Sequence, residues 1–164
     1  MFMQGGSFTY VLLAALAIAL LVAAVTDLRR RQIDNWLNAA IALGAPLFWL
    51  ASDLSLVAMG WQVAVAAGAF AVFAAMFALG WMGGGDVKLL TALALWIKPP
   101  WFAQLVVVMA LAGGALTLGF AIWHVAARRR GRPAIPYGIA ISAAGLWALA
   151  SQYVPSLQNP GLFG

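Results

Sequence analysis

With 164 residues, 65% of them apolar and only 8% charged, the chain has the composition of a membrane protein. Zero Cys excludes disulfides, thiolate nucleophiles and Cys-ligated zinc or iron–sulfur clusters. A single His (His124) beside four Asp fits a dedicated transition-metal site poorly, so no metal or cofactor is expected. The net charge of +5 comes mainly from two short basic clusters at the ends of apolar runs. That pattern belongs to cytoplasmic loops touching anionic lipid and not to a nucleic-acid surface.

In chain order, residues 1–7 carry no side-chain charge, so the basic n-region of a secretory signal is missing. Residues 8–26 form a first apolar span in which Ala15, Ala19 and Ala23 share a face open to close helix approach. Asp27 and Arg29-Arg30-Arg31 follow at once. A short second span covers residues 36–52, and Asp53 and Ser55 mark a polar turn. The third span, residues 56–81, runs into Gly83-Gly84-Gly85-Asp86-Val87-Lys88. The fourth, residues 86–97, is short and stops at Lys98-Pro99-Pro100, because proline cannot continue a helix. The fifth, residues 101–127, ends in Arg128-Arg129-Arg130-Gly131-Arg132. A loop at 133–136 leads to the sixth, residues 137–153, and residues 154–164 read as an irregular tail. The expected fold is therefore an all-α membrane bundle of about six transmembrane helices. It forms one domain over 1–164, with its core at 8–153. Trp36, Trp81, Trp96, Trp101 and Trp123 near span ends read as interfacial anchors.

Both arginine clusters end odd-numbered spans. The positive-inside rule therefore places both in the cytoplasm and both termini outside. Asp27 ends the first span going inward and Asp86 opens the fourth going outward, so both acids fall at the cytoplasmic boundary, as does Lys88. Lys98 and Asp53 fall outside. A charge at membrane depth costs roughly 2.5–3.5 kcal/mol on insertion scales, which makes each such acid a functional candidate.

Two carboxylates sharing one water form the aspartic-protease arrangement, in which like-charge repulsion keeps one protonated and one ionised. The ionised member takes a proton from the attacking water, and the neutral one polarises the peptide carbonyl. Gly83, Gly84 and Gly85 lack Cβ atoms and allow a substrate backbone to approach. Each residue also has a structural reading. Asp86 suits a helix N-cap, and Asp27 suits the flank of a span beside its arginines. Asp34, on the same side, reads first as the N-cap of the second span or a partner for the nearby arginines, and second as an accessory acid. Asp53 reads as a turn residue, His124 as an interfacial polar group, and Lys88 as an orienter of Asp86 or of a main-chain carbonyl.

These residues resemble the prepilin peptidase family, membrane aspartyl proteases that cut the leader from type IV pilin-like precursors. Gly83-Gly84-Gly85-Asp86 meets the family's Gly-x-Gly-Asp signature, Asp27 matches its other aspartate, and Pro136-Tyr137-Gly138 resembles its Pro-Tyr/Phe-Gly stretch. Where the family often has Ile-Pro-Asn, this chain has Ile33-Asp34-Asn35. The resemblance implies an aspartyl endopeptidase with Asp27 and Asp86 as its dyad. Its substrate would be a prepilin or pseudopilin precursor, cut after a glycine at the cytoplasmic face of a bacterial inner membrane. The small size looks like the peptidases serving Flp/Tad-type pili. The paired cysteines and methyltransferase activity of the large forms are not implied. Pilus assembly proteins and membrane lipid are the other partners it suggests. Two other readings of the same residues stay open: a non-enzymatic membrane subunit of a pilus or secretion machine, and a small proton-coupled transporter.

Overall fold

The structure is a computed structural model that describes residues 7–126 and 137–158, without the side chains of 120, 121, 124–126 and 154–158. His124, the arginine cluster at 128–132, Pro136 and the chain beyond 158 fall outside that description. All the described elements are helices: α1 (Ser7–Arg30), α2 (Asn35–Ala51), α3 (Leu56–Ala78), α4 (Gly84–Ala94), α5 (Pro99–Ala126) and α6 (Tyr137–Gln158). Among them α1, α3 and α5 are each long and apolar enough to cross a membrane, while α2 is a shorter apolar helix of 17 residues.

Helices α1, α2, α4 and α6 pack as a ring, each against the next, with α3 laid on α4 and α5 on α6. The sequence explains why α4 is central. Of its 11 residues, Asp86, Val87, Leu89, Leu90, Ala92, Leu93 and Ala94 are all buried, so it has apolar contacts nearly all round. By contrast α3 buries only Gln62, Ala66 and Phe73 and leaves its other faces open. Thr9 at the start of α1 donates to the carbonyl of Ala51 at the end of α2, fixing these two as antiparallel.

The polar residues at the helix ends fall at two ends of the bundle. Asp27, Asp34, Asp86 and Lys88 lie at one end of the bundle. Lys98 bonds Gln152 at the other end, near the α2 terminus that leads into Asp53. Asp53 does sit in a turn, with φ of 50°.

Several boundaries differ from expectation. Helix α1 continues past Asp27 to Arg30 and closes on Arg31, whose φ of 54° and N–H bond to the Asp27 carbonyl form a left-handed cap. Helix α6 continues past Tyr153 to Gln158. Helix α4 stops at Ala94, before the expected 97, and residues 95–97 turn back.

That early stop leaves carbonyls exposed in an apolar region, and side chains satisfy them. Trp49 Nε1 donates to Leu95 O at 2.8 Å, and Gln62 Nε2 donates to Leu95 O and Ile97 O at 3.2 and 3.1 Å. Gln62→Leu removes two of these donors while preserving volume. It should cost about 1–3 kcal/mol, read as a lower Tm in detergent with peptidase activity below that Tm retained.

Trp96 departs from the interfacial reading. It is buried, stacks on Phe48 with ring centroids 5.1 Å apart, and donates from Nε1 to Ile41 O at 2.7 Å. Gly44 makes room for it, since a Cβ there would lie 2.8 Å from the Trp96 ring. Trp36, Trp81 and Trp123 are exposed, as interfacial anchors are.

Candidate active site

Asp27 extends the buried face of α1. Leu16, Leu20, Ala23 and Asp27 follow one another at spacings of four, three and four, so the stripe that packs α1 into the ring ends in a carboxylate. Asp86 arrives differently. Gly83 is the N-cap of α4 with extended backbone (φ −75°, ψ 145°), and Asp86 stands in the first helical turn, its carboxylate against the Gly83 backbone N–H. It is thus not the cap itself, which corrects that structural reading. A reach-back of this kind is the half of a capping box supplied by the third helical residue.

The two acids are only 7% and 8% exposed, and both line one cavity of about 410 Å³. They are close enough for the charge on Asp27 to act on Asp86. The rest of the lining comes from two segments: Arg31, Gln32, Ile33, Asp34 and Asn35, and Gly83, Gly84 and Gly85. Arg31 brings a positive charge to bear on Asp27. Asp34 is the N-cap residue of α2 by position, but its side chain makes no capping bond. The residue lines the cavity instead.

The family model for type IV leader peptidases matches residues 14–118, which is more than half of the chain. The chain belongs to the type IV leader peptidase family. No curated protein and no solved structure matches it. Membership makes it a peptidase of the leader-peptidase type and implies prepilin-type peptides as substrates.

The matched region of this leader peptidase holds Asp27, Asp34 and the Gly83–Asp86 turn, and it ends before α6. Yet α6 reaches the site. The backbone N–H of Gly138 donates to Asp27 Oδ2 at 2.8 Å, and a Cβ on Gly138 would stand 2.8 Å from Cβ, Cγ and Oδ2 of Asp27. Each acid of the leader peptidase therefore leans on a glycine: Asp86 on Gly83 and Asp27 on Gly138.

Helix α2 supplies the remaining support. Lys88 Nζ donates to Asn35 Oδ1 at 2.7 Å, and the buried Asn38 donates from Nδ2 to Gly85 O at 3.4 Å. Lys88 lies outside the cavity lining and directs its bond to Asn35 rather than to Asp86, because two positions along a helix point to opposite faces. Through this bond Lys88 ties α4 to the start of α2. Gly138, Asn35 and Asn38 were not singled out as site residues. Only the Pro-Tyr-Gly resemblance pointed near the first of them.

Proposed function

We propose that this chain is an aspartyl endopeptidase that removes the leader from Flp-type prepilin or pseudopilin precursors, with Asp27 and Asp86 as its catalytic pair. The observation that carries this reading is the meeting of two buried carboxylates, from α1 and α4, on one cavity. A water between them is the nucleophile. The ionised carboxylate takes its proton as it attacks the scissile carbonyl, and the protonated partner donates a hydrogen bond to that oxygen. Collapse of the tetrahedral intermediate breaks the C–N bond. The carboxyl that gained the water proton delivers it to the leaving amine, and the pair returns to its starting state.

A precursor helix must unwind to expose that carbonyl, since helical hydrogen bonds shield it. The glycine wall at 83–85 gives an extended segment room to lie against the acids. Asp34, which also lines the cavity, has the place of an accessory acid that shapes the local field. In this reading the six helices all cross a bacterial inner membrane, both termini lie outside, and the cavity opens near the cytoplasmic face. The arginines there contact anionic lipid. Pilus assembly proteins are the partners that would receive the processed subunit. A proton relay would need acids spread through the depth of the membrane. The four Asp of this chain stand instead at helix termini and in one turn.

The test is cleavage of a Flp-type precursor by the purified protein in detergent or liposomes, with mass spectrometry of the released leader. Intact precursor after prolonged incubation with folded protein would remove the endopeptidase reading.

A further inference from the structure

The stretch around Tyr137 and Gly138 has no role in the chemistry described so far, although Gly138 touches Asp27. What keeps Gly138 in place lies outside the four-helix ring. Tyr137 OH and Thr117 Oγ1 are 3.0 Å apart, and Thr117 Oγ1 donates to the Gly113 carbonyl at 2.7 Å. The Thr117 proton is thus committed to Gly113, so Tyr137 is the donor in the hydroxyl pair. The Tyr137 ring packs against α5 where Gly113 leaves space, since a Cβ there would be 3.0 and 3.2 Å from ring carbons. Helix α5 lines no part of the cavity, yet it fixes the first residue of α6, whose neighbour holds Asp27.

We propose that Tyr137, seated on α5 by Thr117 and Gly113, is a positioning residue that keeps the Gly138 N–H on the Asp27 carboxylate. The chain of contacts is short and has little slack. Letting the start of α6 shift stretches the 2.8 Å hydrogen bond, and the approach is so close that a Cβ on Gly138 would meet Asp27 at 2.8 Å. Helix α5 therefore acts on the dyad without touching it. The catalytic part of this claim rests on Asp27 being one of the reacting acids.

The test measures two things on full-length protein: steady-state cleavage of a precursor, and the rate at which a water-soluble carbodiimide modifies Asp27, read by mass spectrometry. Tyr137→Phe and Thr117→Val should each lower kcat about fivefold to tenfold, the scale of one hydrogen bond lost at one remove, with KM changed less than twofold. Both should raise the Asp27 modification rate severalfold. The double variant should be no worse than either single one, because one contact is removed in all three. Thr117→Ser, which keeps the hydroxyl, should restore wild-type behaviour, and Gly138→Ala should lower kcat about a hundredfold. Unchanged kcat and unchanged Asp27 modification in Tyr137→Phe and Thr117→Val would overturn the proposal, as would a rise in KM alone. Full cleavage by Asp27→Asn would instead overturn the dyad reading. The modification rate would then still decide whether Tyr137 positions Asp27.

Discussion

Asp27→Asn and Asp86→Asn each lower precursor cleavage by about 10³-fold or more, while Asp34→Asn leaves a substantial remainder. The size of the first two effects follows from the chemistry: general acid–base help from a positioned carboxyl contributes about 10²–10⁴-fold, and a pair acting as a unit loses nearly everything with either member. Asn matches Asp in shape, and its carbonyl oxygen accepts the hydrogen bond that Asp27 takes from Gly138. The folded state is thereby preserved, and the loss is chemical. Asp34 differs because it is not one of the proposed pair, and it makes no capping bond whose removal would loosen α2. Cleavage rates and Tm measured together on the three variants check this. Wild-type cleavage by a well-folded Asp86→Asn would end the two-carboxylate mechanism.

Alanine substitutions in the glycine turn should separate in a fixed order, with Gly83 the most sensitive and Gly84 the least. A Cβ on Gly83 would lie 2.9 Å from Asp86 Oδ2. The carboxylate is the mobile end of its side chain and swings aside, so the fold survives while the reacting group is displaced. A displacement near 1 Å costs about 10²-fold in rate, and Gly83→Ala should lose activity on that scale with little change in Tm. On Gly85 the added carbon meets Ile33, at 3.3 Å from its Cβ and 3.5 Å from its backbone nitrogen. Ile33 is buried, so Gly85→Ala pushes the cavity wall and should reduce both activity and Tm moderately. On Gly84 it meets only the Phe77 ring at 3.4 Å, and Phe77 is exposed and free to yield. Cleavage rate against Tm for the three variants reads the order. Equal loss in all three would mean that the turn serves through substrate contact or backbone freedom and not by seating Asp86.

The acids were legible in the chain because charge is scarce there and helix counting places Asp27 and Asp86 at one end. Apolar runs and prolines also located all six helices to within a few residues. What composition along the chain does not carry is depth of packing. Trp96 sits near a span end like Trp36 and Trp81, but α4 is enclosed by its neighbours, so this Trp is buried while those two are exposed. Gln62 is a single polar residue within the apolar run of α3. Its purpose appears only once α4 is seen to end early beside it. Gly138 was part of a recognisable motif, but its contact with Asp27 joins residues 111 positions apart, a relation no local pattern encodes.

Under the proposed six-span topology, the brevity of α4 has a consequence for the bilayer around the protein. Eleven residues rise about 17 Å, against roughly 30 Å of hydrocarbon in an ordinary bilayer. Asp86 stands at one end of this helix and Lys98 just beyond the other. In the proposed six-span topology, both charges reach headgroups or water only if the acyl layer is pinched beside the protein or solvent wells down into it. In a slab compressed to that degree, hydrolysis and a greasy precursor helix meet in the same few ångströms, and the water that the reaction consumes has only a short distance to travel.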